Sequence, residues 1–248
     1  MKKYTIGIAG LASYATIDLM RRIVNAFPAE KEWDRPHIIV DNNCLIPSRV
    51  RAILYGENTE LVISGMARQI SYLMEGKADR IIVDCNTAHY FLPEVCKRVD
   101  GSEKKIINII NNLADYIYDN YGAVNVGMLA SEGVIETKIY DNTMKNHNII
   151  VHSLEKMRYA DIRRMIEAVK QSKIDQKILE EFKEMIMSFP YDYIVLGCTE
   201  LPVLYDKVIE SGFAFNKVIL DPLDVVIAFL KREYQELPDV SEFSMLQN

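Results

Sequence analysis

Two cysteines stand at matching places in the 248-residue chain. Asp79-Arg80-Ile81-Ile82-Val83-Asp84-Cys85 reads against Asp192-Tyr193-Ile194-Val195-Leu196-Gly197-Cys198. In both, an Asp precedes the Cys by six residues across a run of aliphatics, and a Thr follows, at Thr87 and Thr199. Such runs are the buried strands of parallel sheets, and ligands of open α/β sheets bind outside the carboxyl ends of the strands. Two thiols facing each other across that crevice place an acid and a base on opposite faces of one carbon. One takes a proton, the other returns one, and the configuration inverts. A thiol titrates at about 8.5 and drops beside N–H dipoles, so one thiol and one thiolate coexist near neutrality. A Cα–H remains far less acidic, each pKa unit being about 1.36 kcal/mol. Desolvation and fixed donors must close that gap, and Asn86, Thr87 and Thr199 are the nearest candidate donors. A buried Cys is also a common small apolar residue. That reading suits Cys44, in a loop, and Cys96, between Val95 and Lys97 in a helical stretch. It explains a matched pair poorly, whereas a redox disulfide between Cys85 and Cys198 stays open on spacing alone.

The elements that position these thiols alternate in type. Short apolar runs at 5–9, 37–41, 80–84, 105–107, 125–129, 149–151, 193–197 and 218–220 read as strands. Helical periods lie between them at 15–26, 59–75, 93–99, 135–145, 160–172, 176–188 and 224–235, followed by a polar tail. This is the pattern of βα units on parallel sheets. The segment Thr5-Ile6-Gly7-Ile8-Ala9-Gly10 echoes Asn125-Val126-Gly127-Met128-Leu129-Ala130. The expected fold is therefore two similar Rossmann-like α/β domains with parallel sheets related by a pseudo-twofold, with the site in the cleft between them. Residues 1–102 plus about 212–248 would form the first domain, with Cys85, and 103–211 the second, with Cys198.

Composition narrows the function further. Lys+Arg 29 against Asp+Glu 35 gives a net charge of −6, which lacks the basic footprint of a nucleic-acid binder. No apolar run reaches the roughly 18 residues of a membrane span, and glycines interrupt the apolar N-terminus, which reads as a strand and turn rather than a signal peptide. Four cysteines and four histidines form neither a disulfide scaffold nor a cluster with metal-ligand spacing. A cytoplasmic protein acting on a small molecule, with no metal, nucleic-acid or membrane partner, is expected.

Three motifs carry a resemblance. Cys85-Asn86-Thr87-Ala88-His89, Leu196-Gly197-Cys198-Thr199-Glu200-Leu201-Pro202 and Asn42-Asn43-Cys44-Leu45-Ile46-Pro47-Ser48-Arg49 resemble the PLP-independent aspartate/glutamate racemase family, in its aspartate form, over nearly the whole chain. The resemblance implies a cofactor-independent racemase and a homodimer. Cys85 and Cys198 would be the acid/base pair, Cys198 serving the L and Cys85 the D enantiomer. Arg49 would clamp the side-chain carboxylate. Leu11, Asn43, Asn86, Thr87 and Thr199 would bind the substrate, together with Lys170, for which Lys173 is the competitor. His89, one turn past Cys85, either helps catalysis or caps or packs. The family's Gly-Gly-Met-Gly-Pro-x-Ala-Thr reads Ala9-Gly10-Leu11-Ala12-Ser13-Tyr14-Ala15-Thr16 here, its Gly-Thr-Ile reads Gly133-Val134-Ile135, and Ser48 replaces an Asp before Arg49. These changes alter the pocket wall, not the thiols. The rivals are a hydantoin racemase, a maleate isomerase, an arylmalonate-type decarboxylase, or a non-catalytic amino-acid sensor or redox switch on the same scaffold.

Overall fold

A computed structural model describes residues 4–237. The polar tail expected after the last helix lies outside the described residues. The chain forms β1 (Thr5–Gly10), α1 (Ser13–Ala26), β2 (His37–Asn42), α2 (Arg49–Tyr55), α3 (Thr59–Glu75), β3 (Arg80–Asp84), α4 (Leu92–Arg98), β4 (Ile106–Ile107) and α5 (Ile109–Tyr121). It continues through β5 (Asn125–Ala130), α6 (Glu132–Thr137), α7 (Ile139–Met144), β6 (Ile150–Ser153), α8 (Tyr159–Lys170), α9 (Gln176–Ser188), β7 (Tyr193–Gly197), α10 (Leu201–Glu210), β8 (Val218–Leu220) and α11 (Pro222–Glu236). Two four-stranded parallel sheets result, ordered β2-β1-β3-β4 and β6-β5-β7-β8. Their topology is the same, strand for strand. The echoed glycines hold equivalent places: a Cβ on Gly7 would meet Ala78 Cβ at 3.1 Å, and one on Gly127 would meet Phe189 Cδ1 at 2.6 Å. In each half the chain entering the cysteine-bearing strand crosses directly over a backbone without a side chain.

All eight expected strands form. The domain division is corrected for two of them: Ile106–Ile107 pairs with β3 and completes the first sheet, and Val218–Leu220 pairs with β7 and completes the second. Helix α11 nevertheless reaches back over the first sheet, where Glu233 pairs with Arg80 and Tyr234 packs edge-on against Phe27 at 5.3 Å. The single helix expected at 135–145 is two. Lys138 adopts a left-handed φ of 52° between α6 and α7, a costly conformation for a residue with a Cβ. The Thr137 hydroxyl donates to the Gly133 and Val134 carbonyls at 2.7 and 3.0 Å, competing with helix continuation.

Three buried clusters hold the fold. One sits on the first sheet around Val62, Met66, Ile70 and Ile81, and one on the second around Ile162, Phe182, Ile186 and Leu196. The third joins the halves, setting Ile6, Ile8 and Ile82 against Val126, Met128, Val195 and Val226. Charge ties the same seam: Arg22 on α1 meets Asp221 and Asp224 at the start of α11 at 2.7 and 2.9 Å, and Asp18 at 2.7 Å. Among the described residues no helix is long and apolar enough to cross a membrane.

Candidate active site

Cys85 follows β3 and Cys198 follows β7, the equivalent inner strands of the two sheets. Both line one cavity of about 520 Å³ between the halves. From the first half, Leu11 follows β1, Arg49 opens α2 and Thr87 lies two residues past Cys85; all three reach the wall. Ser48 caps α2, its hydroxyl accepting from the Arg51 N–H at 3.3 Å, and so fixes the helix start that carries Arg49. From the second half come Ser131 after β5, Glu200 after Cys198, and Lys170 at the end of α8.

The two thiols have different surroundings. Cys198 is buried and donates to Glu200 Oε2 at 2.9 Å. Burial pushes its pKa well above the ordinary thiol value, and the charge and hydrogen bond of Glu200 add to the rise; Lys170 pulls the other way. Burial works against the Lys170 ammonium, but Glu200, Glu167 and Cys198 outweigh it and hold its pKa above the usual range. Lys170 thus stands as a cation beside a thiol whose proton already points at a carboxylate. Cys85 is only half-buried. Behind it, Asp84 is fully buried, and burial pushes that acid up to about 8, with Glu200 and Asp221 adding to the shift and the Thr16 hydroxyl opposing it.

Among the described residues, Arg49 is the cation of the cavity wall with no acidic partner, Arg163 pairing with Glu132 and Lys170 with Glu167. Its guanidinium donates to the Ile46 and Pro47 carbonyls, each at 3.3 Å, and to Leu11 O at 3.2 Å, while Nε is buried without a partner. Three carbonyls aim it into the cavity and leave its charge uncompensated, so it can receive a carboxylate. Opposite, the Thr87 and Ser131 hydroxyls meet at 2.9 Å across the halves. The second half thus brings a hydroxyl to the cavity wall from Ser131, three residues before Val134.

Of the substrate-contact residues expected from sequence, Leu11, Arg49, Thr87 and Lys170 share the cavity wall with both cysteines. Asn43 is not brought to this cavity wall: its Oδ1 accepts from the Leu45 N–H at 3.1 Å, and the residue lines a separate groove with Ile46, Leu61 and Arg68. Thr199 is buried outside the cavity lining; counted from the cysteines, the counterpart of Thr87 is Glu200. Asn86 is also outside the lining and buried; its Oδ1 accepts from the Tyr140 hydroxyl and its Nδ2 has no partner. Lys173 lies in a surface groove with Arg164 and Asp175, away from the cleft. His89 acts on the backbone: Nδ1 lies 2.9 Å from Cys85 O, and Nε2 accepts from the Ile109 N–H at 3.3 Å. Burial lowers its pKa to about 4, so it is a neutral strut between the Cys85 turn and α5.

Sequence reasoning missed Glu200, Ser131 and Cys44. Glu200 stood inside a quoted motif and was readable as the acidic neighbour of a reactive Cys. Cys44 is corrected from a buried apolar residue to an exposed thiol on the cavity rim, 3.2 Å from Ser13 Oγ.

Known proteins resemble this arrangement. The sequence profile of the Asp/Glu/Hydantoin racemase family matches residues 8–230. A glutamate racemase of Lactobacillus acidophilus is 25% identical over 222 residues, covering 88% of this chain and 76% of its own. A glutamate racemase of Caldanaerobacter subterraneus is 21% identical over 94% of this chain and 79% of its own. Among solved structures, Picrophilus torridus aspartate racemase superposes with a TM-score of 0.78 at 22% identity, over 95% of this chain and 96% of that one. Francisella tularensis glutamate racemase in complex with D-glutamate gives 0.62 at 14%, over 97% and 85%. At such identities the structures speak for the fold alone, whereas the profile spans nearly the whole chain: the protein belongs to the Asp/Glu/hydantoin racemase family, a family of isomerases.

Proposed function

We propose that the protein interconverts the L and D forms of an acidic amino acid, aspartate foremost and glutamate second, by proton exchange between Cys85 and Cys198 without a cofactor. The observation that carries this reading is the single cavity on which both thiols, from equivalent strand ends, meet an Arg49 guanidinium lacking an anion.

In the L to D direction, Cys198 acts as base. Its proton first passes along the existing hydrogen bond to Glu200 Oε2, and the Lys170 ammonium holds the thiolate that remains. The thiolate then takes the α-proton, and the Cys85 thiol delivers a proton to the opposite face. Arg49 holds the side-chain carboxylate. The Thr87 and Ser131 hydroxyls separate from each other to donate to the α-carboxylate as negative charge spreads onto it. Turnover leaves Cys198 a thiol, Cys85 a thiolate and Glu200 protonated. From that state Cys85 takes the α-proton of the D enantiomer in the reverse direction. Passage of the Glu200 proton to Cys85 restores the starting state. The names of the relatives support the substrate class, both aspartate and glutamate racemases being among them.

A panel of L-amino acids followed by chiral separation tests the reading. D-aspartate or D-glutamate should accumulate to an equal mixture of enantiomers, with alanine and serine far slower. Binding of aspartate without any D-product would instead make the protein a sensor.

A further inference from the structure

One face of α8 lines the cavity through Ile162, Arg163, Ile166 and Lys170. Lys170 lies at the inner end, beside Glu200 and Cys198. Arg163 lies seven residues earlier, two turns or roughly 10 Å along the same face, with Ile166 between them and Ile162 adjoining Arg163. Arg163 pairs through Nη2 with Glu132, which also lines the cavity. The other guanidinium donors, part of a five-donor fork, have no protein partner among the described residues. The carboxyl carbons of aspartate are roughly 4 Å apart, three carbon–carbon bonds of about 1.5 Å each. Aspartate held at the thiols and Arg49 therefore leaves Arg163 without a role.

We infer that Arg163, oriented by Glu132, is a distal carboxylate subsite. It extends the substrate class to α-amino acids whose longer aliphatic side chain ends in a carboxylate. The chain passes Ile166, and the far carboxylate shares the Arg163 fork with Glu132. This inference rests on the racemase reading, because the α-carbon must sit between Cys85 and Cys198.

The test compares kcat/KM for L-aspartate, L-glutamate, L-2-aminoadipate and L-2-aminopimelate in the native protein and in Arg163→Gln. Native protein should racemise the six- and seven-carbon acids. Arg163→Gln should lower kcat/KM for them at least tenfold more than for aspartate, chiefly through KM, as expected for lost uniform binding. Glu132→Gln should free the guanidinium and lower KM for the long acids. Turnover of aspartate with none of the longer acids overturns the subsite and leaves the racemase reading standing, as does an equal loss across the series in Arg163→Gln. If no acid in the series is racemised by native protein, the racemase reading fails and the subsite with it.

Discussion

The two halves share a topology, yet their cysteines live in different chemistry. On the second side Cys198 is buried, hydrogen-bonded to Glu200 and watched by Lys170. On the first side Cys85 is half-buried and faces Thr87, while the neighbouring acid, Asp84, lies behind it in the seam. The residue equivalent to Asp84 is Gly197, where a Cβ would strike Ala130 Cβ at 2.9 Å. Duplication explains the shared frame. The asymmetry gives the two thiols different neighbours in the same cavity.

The largest effect comes from removing either sulfur. Cys85→Ser and Cys198→Ser should each lower racemisation by about 10² to 10⁴-fold, the range for losing a positioned acid or base, as read by chiral chromatography. Substantial turnover by one of them would make the halves unequal partners and the two-thiol account wrong. Arg49→Ala comes next. Loss of a charged hydrogen bond is worth about 1.5 to 3 kcal/mol, so kcat/KM for dicarboxylic substrates should fall on the order of 10- to 100-fold, with much less change for alanine or serine. An equal loss for both classes would remove Arg49 from the side-chain clamp.

Glu200→Gln separates the sulfurs. The Glu200 carboxylate raises the Cys198 pKa, so its removal should shift the pH midpoint for Cys198 alkylation by a neutral reagent downward. The shift is read by mass spectrometry of the labelled Cys198 peptide. An unmoved Cys198 midpoint would mean that Glu200 does not govern that thiol. The smallest effect is on stability. Asp84 is faced by Thr16 and Asp18 from α1, Glu200 from the turn after β7, and Asp221 from the start of α11. Its acid shifts from an ordinary 3.8 to about 8 on folding, so between those values the native state holds a proton that the unfolded state has lost. Its contribution to stability is present below pH 4, falls as pH rises towards 8, and is flat above. Asp84→Asn should remove that slope, gaining at least about 1.4 kcal/mol over native at pH 8 relative to pH 5, the worth of one pKa unit, in urea unfolding. Parallel curves for the two proteins would place Asp84 in its charged form.

Much of this was legible in residue order, for a physical reason. The inner strands β1, β3, β5 and β7 are buried nearly throughout and must be aliphatic along their length, so they could be read, and the strand-end cysteines with them. Helices α2, α5 and α10 went unread. Their starts are marked by Ser48 for α2, by Asn108 accepting from the Ile110 and Asn111 N–H groups for α5, and by Pro202 in the first turn of α10, and α5 also carries a helical period at Ile109, Ile110, Leu113, Ala114 and Ile117. Gly56 and Gly122, with φ of 71° and 74°, end α2 and α5. The site was harder to read where a side chain chooses between two directions. Asn43 turns to its own backbone and Cys44 turns out to the rim, a choice set by loop geometry that spacing does not encode. The seam was least legible, since β4 and β8 are short and only pairing decides which sheet each joins.

The most direct measurement is L-aspartate turnover in D₂O, stopped early, with each enantiomer separated and its α-position examined by mass spectrometry. A proton removed by one sulfur and replaced from the other gives D-aspartate fully deuterated, while recovered L-aspartate keeps its protium. Deuterium entering both enantiomers at equal rates would mean that a single group serves both faces, and would contradict the account.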